Sequence, residues 1–87
     1  MKVELHKNFK KRFKKLSPKI KRSYFERVEL FLKDPFHPLL NNHSVEPIYP
    51  PGWRSINITG DYRVLFESQG EQMVLFMKIG THSELYK

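Results

Sequence analysis

The sequence predicts an α+β domain, an N-terminal helical hairpin packed on one face of a three- to four-stranded antiparallel sheet. Three observations lead there. Apolar residues recur at helical spacing between Asn8 and Asp34. The last 35 residues hold three apolar runs, "WRSINIT", "YRVLFE" and "MVLFMKI", separated by the short turn-forming pieces "GD" and "SQGE". Between the two halves, residues 35–52 carry five of the six prolines and no period, which marks a long connecting loop.

Each element has a local reason. "KVEL" at residues 2–5 is short enough for an edge strand. Phe9, Phe13 and Leu16 fall at i, i+4 and i+7, one apolar stripe of a first helix. Ser17 is a capping residue, and Pro18 suits the first helical position, where no N–H is required. Ile20, Tyr24, Val28, Phe31 and Leu32 form the expected buried stripe of the second helix. Pro35 should end it near Asp34, because a proline disfavours helical geometry in the residue before it. The short "SP" break predicts an antiparallel pair of helices.

Eighty-seven residues make one small domain with one modest core, residues 1–87, so a site must be a surface groove. The absence of cysteine excludes a disulfide framework and a thiolate metal site. No apolar run approaches the roughly 20 residues that span a bilayer, and no secretory pattern opens the chain. No membrane association and a cytoplasmic location are therefore expected. The net charge of +7 is unevenly spread, with +8 in residues 1–43 and −1 in residues 44–87. Lys10, Lys11, Arg12, Lys14 and Lys15 crowd the polar faces of the first helix. Such asymmetry suits a polyanion or an acidic protein as partner, although a solvated helix face has the same composition.

Strand alternation separates the core from a possible site. Tyr62, Val64 and Phe66 share one face, the apolar one, which should meet the helices. Arg63, Leu65 and Glu67 share the other. Folding about "SQGE" sets Arg63 opposite residues 76–77. Lys78 and the turn bearing His82 then follow one or two residues on, at about 3.3 Å each. Arginine, lysine and histidine thus gather at one end of an open face, beside Asp61. Arginine fits phosphate oxygens and histidine exchanges protons near neutral pH. Arg54 joins that face after a two-residue turn and leaves it after a three-residue one. Trp53, Tyr49 and Tyr62 are aromatic surfaces for bases or packing groups. His37 reads as structural, and His43 lies where the long loop crosses a sheet edge. No paired-histidine spacing, glycine-rich phosphate loop or nucleophilic serine motif is present, so neither a metal nor another cofactor is expected.

"DPFHPLLNNH", "WRSINITGDYRVLFE" and "VLFMKIGTHSELY", in that order after two basic helices, resemble the RelE/YafQ-type toxins of bacterial toxin–antitoxin modules. The similarity covers nearly the whole chain, and "ITGDYRVLF" and "IGTHSELY" are its most specific parts. It implies the RelE-like fold and a ribonuclease that cuts messenger RNA in the ribosomal decoding site. It also implies a cognate antitoxin as partner, with a monomeric free toxin and a hetero-oligomer once the antitoxin binds. By resemblance, Arg63 grips the scissile phosphate, His82 acts as general acid or base, and Tyr86 stacks on or orients the substrate. His43 and Asp61 match a loop histidine and a turn aspartate, and either would complete the proton transfer. Lys78, Arg54 and Trp53 would contact RNA, and the basic residues at positions 10–15 would dock on ribosomal RNA. Three departures stand out. Asn57 occupies the place of a second strand histidine, Arg54 is the only basic residue on its strand, and "SVEPIYPPGW" replaces a short glycine-rich approach. The same fold also serves ParE-type toxins, which inhibit DNA gyrase, and would serve a degenerate member that only binds antitoxin or RNA.

Overall fold

A computed structural model describes residues 1–86. The chain runs β1 (Lys2–Leu5), α1 (Lys7–Lys14), α2 (Pro18–Lys33), a 3₁₀ turn at Pro38–Leu40, and β2 (His43–Ser44). It continues through β3 (Trp53–Asn57), β4 (Tyr62–Ser68), β5 (Met73–Thr81) and α3 (His82–Leu85). The sheet has the order β1-β5-β4-β3-β2. β1 lies parallel to β5, and the other pairs are antiparallel. The expected three- to four-stranded antiparallel sheet is thus a five-stranded mixed one. β2 went unforeseen because two residues inside a proline-rich loop are too few to show a period. Among the described residues, no helix is long and apolar enough to cross a membrane.

The helices form where the stripes require. Ser17 caps α2 by accepting from the Ile20 N–H, and Pro18 opens that helix. Phe9 and Phe13 of α1 meet Tyr24 of α2 at ring distances of 5.8 and 4.7 Å. Together they cover the sheet face made by Ile56, Val64, Phe66, Val74, Phe76 and Ile79. Burial there pushes the Tyr24 hydroxyl pKa up to about 12, so it stays protonated. Leu32 departs from the expected stripe and is 45% exposed. It sits about 100° around the helix from Phe31, beyond the arc that faces the sheet.

The observed pairing corrects the expected register of Arg63 and decides the parity of Arg54, which the sequence left open. Arg63 lies opposite Gly80, not residues 76–77. The β4–β5 connection is longer than a tight turn, with Ser68 opposite Val74, and a bulge leaves Met77 unpaired between Lys78 and Phe76. The β3–β4 connection has three residues, 59–61, since the Ile58 N–H still donates to the Tyr62 carbonyl. That parity sets Arg54 opposite Phe66, on the face away from Arg63. Finally, the far face is not open throughout. Val45, Trp53, Leu65 and Leu85 form a second small core there, with Tyr49, Met77 and Tyr86 packed against it.

Candidate active site

Cross-strand pairing builds the site. Asn57, Arg63 and Gly80 form one row, and His43, Ser55, Leu65 and Lys78 form the next, all on the face opposite α1 and α2. β5 ends at Thr81, whose side chain caps α3 by accepting from the Glu84 N–H, while Glu84 accepts from the Thr81 N–H. This reciprocal capping box is written in the sequence as Thr81-x-x-Glu84. α3 then folds back over the strand it leaves. A Cβ at Gly80 would lie 3.2 Å from Glu84 Oε1 and 3.5 Å from Leu85 Cδ2, so the glycine of "IGTHSELY" permits that approach.

His82 and Tyr86 are four apart and share a side of the returning segment, with ring centroids 4.7 Å apart. They line a cavity of about 420 Å³ together with His43, Ser44, Glu46 and Arg63. His43 Nδ1 lies 2.7 Å from the Asn41 carbonyl, which only accepts, so that nitrogen carries the proton in the neutral ring. Nε2 is left as the proton acceptor. Arg63 is half-buried, and its Nη1 donates to the Gly60 carbonyl at 3.0 Å and the Thr59 carbonyl at 3.5 Å. One nitrogen thereby fixes the guanidinium and leaves other N–H groups for a ligand.

Several residues singled out in the sequence stand elsewhere. Asp61 is not among the cavity's lining residues; its carbonyl accepts from the His82 N–H at 3.0 Å and so anchors α3 through the backbone. Lys78 lines a different cavity with His6, Arg12 and Met77, and its ammonium lies 5.9 Å from the Tyr49 ring. Arg54 donates to Asn42 Oδ1 at 2.7 Å and lies over Phe36, away from the cavity. Trp53 is buried, stacked on Tyr49 at 5.3 Å, and its indole N–H donates to Glu67. It is a packing residue. Arg12 is also engaged, donating to both Glu84 oxygens at 3.0 and 2.8 Å, whereas Lys10, Lys11, Lys14 and Lys15 are exposed. Asn57 faces Arg63 across the strands with its Oδ1 buried and unpartnered.

Glu46 and Glu84 were missed, and Tyr49 was read only as an aromatic surface, without its hydroxyl's role. Glu46 brings a carboxylate to the cavity, and the Gly52 N–H donates to it at 3.2 Å. Tyr49 donates its hydroxyl to the Leu85 carbonyl at 2.6 Å; burial and the neighbouring Tyr86 phenol raise its pKa and keep it a donor. Only the capping pattern signalled Glu84. The Thr81 N–H and Arg12 hold its carboxyl below the ordinary value.

The architecture recurs among small bacterial and archaeal toxins. The YoeB/ParE toxin from Agrobacterium tumefaciens superposes with a TM-score of 0.77 at 15% identity, over 94% of this chain and 99% of that one. YafQ from E. coli gives 0.77 at 18% identity, covering 98% and 97%. The toxin–antitoxin complex RelB–RelE from Methanococcus jannaschii gives 0.74 at 19% identity, covering 97% and 95%. Helices over one face of a mixed sheet are the fold that this chain shares with these toxins. The family model described as "ParE toxin of type II toxin-antitoxin system, parDE" matches residues 3–86, and the chain belongs to that family. No curated protein sequence matches it.

Proposed function

We propose that this toxin is a messenger-RNA endoribonuclease that works on the ribosome and is silenced by a cognate antitoxin. The observation that carries the reading is the meeting of Arg63, His43, His82 and Tyr86 around one cavity. These are the groups that phosphodiester cleavage by the neighbouring 2′-hydroxyl requires. The 2′ oxygen attacks phosphorus, and its proton passes to His43 Nε2. The bond from phosphorus to the 5′ oxygen breaks, and protonated His82 supplies that oxygen with a proton. The products are a 2′,3′-cyclic phosphate and a 5′-hydroxyl. Arg63 carries the charge that builds on the phosphoryl oxygens. Tyr86, held against His82, offers a ring for a base. Glu46 is the second candidate for taking the 2′ proton, and Glu46→Gln compared with His43→Ala separates the two. Cytoplasmic action follows from the substrate, and the RelB–RelE and DinJ–YafQ complexes among the structural relatives support the antitoxin.

A second reading has its own observation, since the matching family model is that of the ParE toxin. Under it the protein inhibits DNA gyrase. Brief induction followed by primer extension on cellular messages, with plasmid topology measured in parallel, distinguishes the two. Messages cut within codons while supercoiling is maintained are the expected result. Intact messages with lost supercoiling would overturn the nuclease reading.

The exposed lysines of α1 give a separate expectation. Charge reversal at Lys10, Lys11, Lys14 and Lys15 should weaken ribosome association and flatten its salt dependence. The log–log slope should fall by about 0.7–0.9 for each phosphate that the helix no longer neutralises. Cosedimentation across a salt series measures this. A wild-type response already flat in salt would remove any docking role for this helix.

A further inference from the structure

α3 is only four residues long, and a helix far shorter than about 12–15 residues has no stability of its own in water. The placement of His82 and Tyr86 therefore depends on ties from other elements. The capping box, the burial of Leu85 and the Tyr49 bond to the Leu85 carbonyl are three of these. Two more come from the Asp61 carbonyl, which accepts from the His82 N–H, and from α1, where Arg12 Nη2 donates to both oxygens of Glu84. Among the described residues this is the only ion pair that joins two different elements; the others lie within β1 and within α2. It links positions 72 apart in sequence. Exposed ion pairs add little to global stability, so its consequence should be sought in placement.

We infer that Arg12 and Glu84 are positioning residues, forming a brace from α1 that holds α3 with His82 and Tyr86 at the cavity. The inference rests on the nuclease reading, because it assigns the brace a catalytic consequence. Arg12 was expected to meet RNA phosphate, yet its guanidinium is turned onto a carboxylate of its own chain. Glu84 is bound on two sides, by the Thr81 N–H and by Arg12. Misplacing a reacting group by an ångström can cost about 10²-fold in rate, so a weak pair far from the phosphate can govern turnover.

Glu84→Gln is the informative variant, because glutamine retains the capping box while the ion pair is removed. Arg12→Gln breaks the same pair from the other end. On ribosome-bound message, each should lower kcat roughly tenfold to a hundredfold with KM changed less than about twofold. The double variant should be no worse than either single, as expected for two ends of one interaction. Amide exchange supplies a readout independent of catalysis. The Tyr86 N–H, bonded to the His82 carbonyl at 3.0 Å, should exchange faster in both variants while β4 and β5 amides hold their protection. Unchanged Tyr86 exchange overturns the brace whatever the activity. A raised KM confined to Arg12→Gln, with kcat intact, makes Arg12 an RNA contact and also overturns it. If wild type leaves all messages intact, the nuclease reading has failed, and the exchange data still decide whether the brace exists.

Discussion

His82→Ala should lower messenger-RNA cleavage by about 10²–10⁴-fold, the usual contribution of one proton-transferring side chain, while the protein remains folded. His82 is exposed at the start of α3, so its ring leaves no hole in either core. The backbone bond from its N–H to the Asp61 carbonyl survives the change, and so does the Thr81–Glu84 capping box. Alanine is a favourable helical residue at that point. The loss should therefore fall on kcat, with circular dichroism and melting close to wild type. Asp61→Ala is the matched control: the anchoring group is its carbonyl, and its side chain does not line the cavity. It should cleave nearly as wild type does. A folded His82→Ala protein with full activity would show that another group supplies the proton to the 5′ oxygen.

Phe76→Ala should cost about 3–5 kcal/mol of stability and lower Tm by roughly 15–30 °C. Native domains have only about 5–15 kcal/mol in total, so this one change removes much of the margin. Phe76 is fully buried, and its ring lies 5.8 Å from Phe9, 6.2 Å from Tyr24, 6.0 Å from Phe31 and 6.1 Å from Phe66. It is thus the point where α1, α2 and β4 all meet β5. The His6 N–H also donates to its carbonyl, which ties the start of α1 to the same place. Truncation leaves a cavity that three elements must close together, and they cannot relax independently. Phe25→Ala removes the same side chain from a site 61% exposed and should cost far less. Denaturant unfolding of the two variants measures the difference. Equal effects would mean that Phe76 is not the centre of the core.

What the sequence made legible is what has a period or a cap. The stripe Phe9, Leu16, Tyr24, Phe31, the Ser17 cap and the apolar face Tyr62, Val64, Phe66 follow from local rules, and the structure agrees with each. Register does not follow from local rules. A bulge at Met77 and a three-residue turn each shift parity by one, and both decide which side chains meet. Arg63 consequently ended nearer His82 than expected, and Arg54 went to the other face. Side-chain partners far apart in sequence were hidden for a different reason. Arg12 looks like one more cation in a lysine run, and nothing within its own helix reveals a carboxylate 72 positions away. Glu46 reached the cavity through a loop whose prolines carry no alternation.

The place of β5 in the sheet sets the order in which the molecule can be assembled. β5 lies between β1 and β4, receives α1 on one face and carries α3 at its end. A nascent chain that has reached residue 72 has α1, α2 and the β2–β4 part of the sheet. It lacks the strand on which β1 docks, the Val74, Phe76 and Ile79 part of the first core, and the histidine at position 82. Long-range pairing of this kind forms late, because the cost of closing the loop precedes any contact that repays it. A growing polypeptide of this kind lacks a complete cavity until β5 and the turn bearing His82 have been made.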